Sequence, residues 1–340
     1  PVTAIIQAAK EQAVRETGRG VIQSVIAGAL KHEDVMRSLA WLAPVALHFG
    51  ADAVAGRGKG RHDKKNSSRK VRSAECGVRS GGGEHRATRK KIIFYPGCAI
   101  RYFQRDIERA TVTVLERLGY DVIVPRNLKC CGRPFLSLGD RKTATSMAAH
   151  NTGILATYDA EAVITSCASC GLTFKAEYPH LLASSGMHPV PVMDIHEFLS
   201  DKLNVLDFRQ VSRRITWHDP CHLGRGQGLA KTARELLSRV PGMTLIEMER
   251  PDRCCGFGGI MRATDPGLSQ AIGRAKALDI MQTAAGIVVT GCPGCRMQLA
   301  DSLRRENAGV AVVHTVQVIA ETISNSECGI RNAELVKAGT

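Results

Sequence analysis

Ala162-Val-Ile-Thr-Ser-Cys-Ala-Ser-Cys170 and Ile287-Val-Val-Thr-Gly-Cys-Pro-Gly-Cys295 are two copies of one device. Each opens with four apolar or β-branched residues, the pattern of a buried strand, and runs into Cys-x-x-Cys. A helical pattern follows both. Working outward, the first copy is preceded by a strand at Ile92–Tyr95, a helix at Arg105–Leu118 stopped by Gly119, a strand at Asp121–Val124, a Cys-Cys turn and a helix near Lys142–Tyr158. The second repeats that order with Ile215–Trp217, Leu229–Val240, Leu245–Glu247, a Cys-Cys turn and Leu268–Ala284, then adds a strand at Val310–His314 and a helix at Val316–Ile323. Strands alternating with helices at these lengths predict α/β domains with mainly parallel sheets, here two tandem repeats. In such sheets ligands gather at the carboxyl ends of the strands, which is where both Cys-x-x-Cys turns fall.

The chain has twelve cysteines. Ten form two sets: Cys98, Cys130, Cys131, Cys167 and Cys170, then Cys221, Cys254, Cys255, Cys292 and Cys295. The spacings are C-x31-CC-x35-CxxC and C-x32-CC-x36-CxxC, and equivalent cysteines are offset by 123, 124 and 125 residues along the chain. That is an internal repeat carried by chemically special residues. Disulfides need an oxidising compartment, no secretory signal points to one, and vicinal cysteines bridge poorly. Zinc takes four ligands, so five would leave one thiolate over in each half. An iron–sulfur cluster offers several irons, so adjacent cysteines can bind separate ones. Cubane clusters use four cysteines; a set of five means either a spare thiolate or a cluster opened so that thiolates bridge irons. The sequence pattern leaves both open, though the repetition of five in both halves argues that the fifth is used, and the expectation is two iron–sulfur clusters. Free backbone N–H groups at the strand-to-helix turns favour thiolates. Gly132 and Gly256, which follow the Cys-Cys pairs, supply positive φ or close approach.

At 340 residues the chain is long enough for two domains. It reads as a helical segment over 1–54, a basic flexible linker over 55–91, a first cysteine-rich domain over 92–210, a second over 211–330 and a tail over 331–340. The formal charge of +14 is concentrated in the linker: between Arg57 and Lys91, thirteen Lys or Arg meet only Asp63, Glu75 and Glu84. Rich in Gly, Ser and charge, that segment buries too little to offset its ordering entropy. Its charge suits an acidic partner or an anionic membrane surface. Nucleic-acid binding is set aside because no aromatic residue interleaves with the charges and no recognition motif follows. No uncharged apolar run reaches about 18 residues; Leu39–Val54 comes nearest and is interrupted by Pro44, His48 and Asp52, reading as a buried or interfacial helix. The expected location is cytoplasmic, with peripheral contact at the membrane face. The opening Pro1-Val2-Thr3 has no Met and reads as the continuation of something upstream.

Several other residues carry candidate roles. His218 and His222 flank Cys221 and are candidate catalytic groups, donating a proton to a substrate sulfur or a hydrogen bond to a thiolate; the alternative is a structural role in a tight His-Asp-Pro turn. Asp219, before Pro220, reads as a helix cap. Lys129, Arg133, Arg225, Arg253 and Lys276 lie near the motifs and can offset cluster charge, but each alone reads as solvated surface. Cys76 and Cys328 read as incidental thiols. Gly224-Arg-Gly-Gln-Gly228 lacks the strand–turn–helix frame of a phosphate loop, so no flavin or nucleotide site is evident.

Six stretches together resemble a known family. Tyr95-Pro-Gly-Cys98, Lys129-Cys-Cys-Gly132, Ser166-Cys-Ala-Ser-Cys170, His218-Asp-Pro-Cys-His222, Arg253-Cys-Cys-Gly-Phe-Gly-Gly259 and Gly291-Cys-Pro-Gly-Cys295 are similar to the CCG cysteine-rich domains of the heterodisulfide reductase B/D superfamily. Relatives there include the iron–sulfur subunits of glycolate oxidase, lactate-utilisation oxidoreductases and anaerobic glycerol-3-phosphate dehydrogenase. The resemblance implies that each five-cysteine set holds a noncubane four-iron cluster. It also implies a role as an oxidoreductase subunit relaying electrons from a flavin dehydrogenase, acting on glycolate, lactate, another 2-hydroxy acid or glycerol 3-phosphate, toward a quinone or another carrier. A ferredoxin-type subunit and a membrane-surface or quinone-reductase partner are further implied. The rival readings are a catalytic heterodisulfide reductase subunit and a zinc-stabilised interaction scaffold. The N-terminal ferredoxin-like cysteines of many relatives are absent from this sequence.

Overall fold

A computed structural model describes residues 2–18, 20–32, 35–36 and 89–323. Two four-stranded sheets organise it, and every strand pairing within them is parallel. The first contains β1 (Lys91–Phe94), β2 (Asp121–Ile123), β3 (Ala162–Thr165) and β4 (Val192–Asp194) in the order β2-β1-β3-β4. The second contains β5 (Arg213–His218), β6 (Met243–Leu245), β7 (Ile287–Thr290) and β8 (Ala311–His314) in the order β6-β5-β7-β8. The two orders match element for element, as the sequence repeat requires. Register is equivalent too, with Ile93 facing Val163 in one sheet and Thr216 facing Val288 in the other.

The central strands are legible in the sequence because parallel sheets are covered on both faces. Ile92, Ile93 and Phe94, and Val288 and Val289, are all buried, so their sequences read as unbroken apolar runs. The helices follow from apolar spacing: on Arg105–Arg117, Ile107, Thr111, Val114 and Leu115 point inward at i, i+4, i+7 and i+8. Caps set several starts. Asp140 accepts from the Thr143 N–H at 3.1 Å and Asp265 from the Leu268 N–H at 3.0 Å. The corresponding helices run Arg141–Leu155 and Pro266–Met281, each ending three residues before the expected point.

Two strands differ from expectation. The sequence does not predict β4, because three residues just after Pro189 and Pro191 carry little strand signal. β6 lies two residues earlier than Leu245–Glu247, since its pairing with β5 begins at Arg213 opposite Met243. Asp219 is not a helix cap. Pro220 occupies that position before the helix Cys221–Gln227, with no side-chain capping bond. Asp219 instead accepts the buried Trp217 indole N–H at 2.6 Å and both Arg234 NH groups at 3.0 and 2.8 Å; a buried indole needs an acceptor. Lys276 is not surface either. It is fully buried, donating to the carbonyls of Arg250 and Pro251 and pairing with Asp279 at 3.2 Å.

Of the N-terminal segment, Val2–Thr17 and Val21–Lys31 are helices separated around Gly18 and Gly20. Residues 39–54, the linker up to 88, Cys76, Cys328 and the 331–340 tail lie outside the described residues. No helix among the described residues is long and apolar enough to cross a membrane.

The halves join through reciprocal contacts. Gln104, which ends the helix Gly97–Phe103 carrying Cys98, donates to the Pro293 carbonyl at 2.9 Å and accepts from Arg296 at 2.9 Å. Arg296 also pairs with Asp106 at 2.7 Å. Conversely, Gln227 at the end of the Cys221 helix donates to the Ala168 carbonyl at 3.1 Å. Each half's first-cysteine helix therefore packs on the Cys-x-x-Cys turn of the other half.

Candidate functional site

The ten cysteines of the two sets gather at the carboxyl ends of the strands. Cys98 begins its helix after β1, Cys130 and Cys131 follow β2, and Cys167 and Cys170 follow β3. In the second half Cys221 follows β5, Cys254 and Cys255 follow β6, and Cys292 and Cys295 follow β7. In the first set the Cys98 and Cys130 sulfurs are 3.7 Å apart. A Cβ added at Gly97 would lie 2.7 Å from Cys170 Sγ, so that glycine lets the Cys98 turn reach the Cys-x-x-Cys turn. In the second set the Cys255 and Cys295 sulfurs are 3.4 Å apart. Gly132 and Gly256 both have φ of +91°, the left-handed turn expected after each Cys-Cys pair.

Different side chains hold the two Cys-Cys turns. Asn151 fixes the first, accepting from the Lys129 N–H at 2.8 Å and donating to the carbonyls of Lys129 and Cys130 at 3.2 and 3.1 Å. Tyr95 donates its hydroxyl to the Lys129 carbonyl at 2.7 Å. The second turn is held by Ser269, donating to the Gly256 carbonyl at 2.8 Å, and by Lys276, which anchors the chain leading to Cys254.

Proton sharing singles out three thiols. Hydrogen bonds from Cys130 and Cys170, with the Arg133 backbone N–H, hold Cys131 well below the ordinary thiol range. Cys254 and Cys295 do the same for Cys255, aided by the neighbouring His218. Cys292 is held down by Cys167, then Cys295, the Cys295 backbone N–H and Ser169. The Cys295 N–H thus acts at a strand-to-helix turn, while the Arg133 and Gly256 N–H groups act at the Cys-Cys turns, the latter reaching Cys254 Sγ at 3.3 Å. Ser169 Oγ, inside the first Cys-x-x-Cys, lies 3.7 Å from Cys292 Sγ and joins the first set to the second.

The two sites differ in access. A cavity of about 280 Å³ is lined by all five cysteines of the second set, together with His218, His222, Arg133 and Lys10. At the first set the opening is about 30 Å³ and touches only Cys98 and Cys130. His218 is buried and neither ring nitrogen has a hydrogen-bond partner among the described residues. Its ligand atom lies within 4.8 Å of those of Cys255 and Cys295. An unsatisfied buried imidazole facing a thiol-lined cavity calls for a group that the cavity would hold. The donors are soft thiolates, with no carboxylate among the described residues that line the cavity, which suits an iron–sulfur centre over a hard cation. His222 also faces the cavity, and burial lowers its pKa below the usual histidine value.

Both segments that carry these cysteines, residues 92–175 and 215–300, match the family model for the CCG cysteine-rich domain. The chain belongs to the CCG family. Curated relatives extend the comparison. A fumarate reductase (CoM/CoB) subunit of Methanothermobacter marburgensis is 36% identical over 67% of this chain and 46% of its own length. A dihydromethanophenazine:CoB–CoM heterodisulfide reductase subunit of Methanosarcina barkeri is 32% identical over 69% of this chain and 59% of its own. Lactate utilization protein A of Oceanobacillus iheyensis is 30% identical over 67% of this chain and 96% of its own. The chain thus spans about half the length of the first of these relatives, whereas it spans nearly all of the third. The CCG repeat and the α/β architecture stand as read from the sequence.

Sequence reasoning places His218 and His222 beside the site, and both line it. Arg133 lines it as well, while pairing with Glu177 at 2.9 Å. Arg225 is exposed and pairs with Asp252, and Arg253 donates to the Ala275 carbonyl at 3.2 Å. Lys10 and Ser169 escape a reading of the sequence. Lys10 arrives from a helix far away along the chain. The signal for Ser169 lies in comparing the two Cys-x-x-Cys loops, Ala-Ser in one and Pro-Gly in the other.

Proposed function

We propose that this chain is an iron–sulfur electron-transfer subunit. It accepts electrons from a partner flavin dehydrogenase that oxidises glycolate, lactate, another 2-hydroxy acid or glycerol 3-phosphate, and passes them toward a quinone or another carrier. Cys98, Cys130, Cys131, Cys167 and Cys170 hold one [4Fe–4S] cluster, and Cys221, Cys254, Cys255, Cys292 and Cys295 hold the other. The fifth thiolate of each set favours an opened, noncubane form. When bound, such clusters store and release single electrons. The observation that carries the reading is the approach of Ser169, inside the first Cys-x-x-Cys, to within 3.7 Å of Cys292 Sγ in the second set: the ligand turn of one set touches a ligand of the other, which supports two neighbouring centres. The protein's own residues do the rest. Backbone N–H groups and the nearby Lys10 and Arg133 offset thiolate charge, while Tyr95, Phe174 and Tyr178 pack together beside the first set and exclude water.

A second reading, a catalytic disulfide reductase, is favoured by the cavity at the second set. It gives a substrate sulfur room beside His218 and His222, either of which can deliver the proton that a departing thiolate takes up. Iron, zinc and acid-labile sulfide per chain, measured on protein purified without oxygen, test the foundation. About eight iron and eight sulfide are expected for two four-iron clusters; about two zinc without sulfide would replace the redox reading with a scaffold. Clusters reduced by a partner dehydrogenase with its 2-hydroxy acid support the relay. Clusters indifferent to every such partner, yet oxidised by a disulfide with a new paramagnetic signal, support the reductase.

A further inference from the structure

The repeat makes the two sites equivalent in their cysteines, yet one contact across their boundary has no counterpart. Ser169, inside the first Cys-x-x-Cys, lies 3.7 Å by its Oγ from Cys292 Sγ of the second set. His222, next to Cys221, holds the same Oγ through Nδ1 at 2.9 Å. Both partners of Ser169 thus belong to the other half. The repeat offset carries Ser169 onto Gly294 and His222 onto Ala99. Neither can donate or accept through a side chain, and a Cβ at Gly294 would already sit 3.1 Å from the Phe257 ring. Among the described residues Cys167 therefore receives no hydroxyl from the second half, although the helix Gly97–Phe103 packs there as the Cys221 helix does on the first.

A sulfur ligand that accepts a hydrogen bond has part of its charge neutralised, and this favours the reduced, more negative state of the centre it ligates. With its Nδ1–H donating to Ser169 Oγ, His222 leaves the hydroxyl hydrogen free to point at Cys292. We propose that Ser169, oriented by His222, is a positioning residue of the second centre, which makes two repeated centres inequivalent and sets the one bound by Cys292 at the higher midpoint potential. Electrons then run from the closed first site to the open second one, where a 280 Å³ cavity admits the acceptor. The proposal rests on the reading that both sets hold iron–sulfur clusters.

The test is a potentiometric titration followed by electron paramagnetic resonance on the full chain, purified without oxygen, with iron and labile sulfide counted first. Two midpoints are expected in the unaltered protein. Ser169→Ala should lower one and leave the other in place, Ser169→Thr should restore it, and His222→Ala should shift the same midpoint downward. The double variant should shift it no further than Ser169→Ala, because the two residues act through one hydroxyl. Unmoved midpoints, or equal movement of both, in protein with full iron would overturn the proposal while leaving the cluster reading intact. Loss of iron in Ser169→Ala with no selective shift in His222→Ala would overturn it too, by making Ser169 merely structural. Unaltered protein without iron or sulfide would overturn both readings.

Discussion

His314 closes β8 as a fully buried residue whose Nε2 has no partner among the described residues, while its Nδ1 accepts from the Val316 N–H at 3.3 Å. Burial, then the neighbouring His196, push its pKa down to about 3, while Asp194 and Cys292 act in the opposite direction and Arg296 adds to the lowering. An unfolded histidine titrates near 6.5. The native state therefore binds fewer protons than the unfolded one between these values, and stability rises with pH across that window. We expect the stability present above pH 6.5 to be lost as pH falls toward 3, at up to about 1.4 kcal/mol per pH unit from this residue. Denaturant titrations at a series of pH values check this, and His314→Gln should flatten the slope; an unchanged slope would assign the acid sensitivity elsewhere. At this scale the cysteines are legible in the sequence because their chemistry marks them in any context. Asp219, Lys276 and Ser169 are not, because their roles depend on partners 15, 26 and 53 residues away that meet them only in the fold.

Among elements, the two Cys-Cys turns share one backbone but differ in surroundings. Gly132 and Gly256 both sit at φ of +91°, where a side chain costs about 1–2 kcal/mol. A Cβ at Gly132 meets Ala144 Cα at 3.2 Å, a contact that small shifts relieve. At Gly256 it would collide with the Ser269 carbonyl oxygen and the Gly273 N–H, both within the helix Pro266–Met281. Gly132→Ala should therefore lower stability by about 2 kcal/mol, whereas Gly256→Ala should cost clearly more and strip iron from the second site first. Thermal unfolding and iron content of the two variants measure this; equal effects would mean that the helix yields. Elements buried on both faces, β1 and β7 above all, can be read directly from apolar runs. β4 and the short helices Arg133–Ser137 and Ile195–Leu199 cannot. They are three to five residues long, below the length at which periodicity carries a signal, and tertiary packing decides them.

On the scale of the whole molecule, the sites lie where the halves meet, so the halves' mutual fit and the neighbourhood of Cys167 and Cys292 are one property. Arg296 is the main polar joint. It is 14% exposed and bonds Gln104, Asp106 and the Val312 carbonyl, tying the second Cys-x-x-Cys helix to the first-cysteine helix of the other half. Gln317 adds a bond to the same Asp106 carboxylate at 2.9 Å, and these partners hold its pKa below the usual carboxylate range against the opposing effect of burial. Because Asp106 is more than one-third exposed, solvent screening reduces the ion pair's worth, and Arg296→Leu should cost about 2 kcal/mol in all. Its pattern is more telling than its size. Apart from Leu236, Val316, Ile319 and Ile323, which pack into the first half's core, and Ala168, which packs into the second's, the apolar cores of the two halves are separate, so weakening the joint should split one unfolding transition into two and raise hydrogen exchange first along Arg105–Arg117 and Thr315–Thr322. Calorimetry with exchange measurements decides it. A single transition, lowered as a unit, would mean that the apolar contact between those two helices couples the halves more strongly than the arginine does.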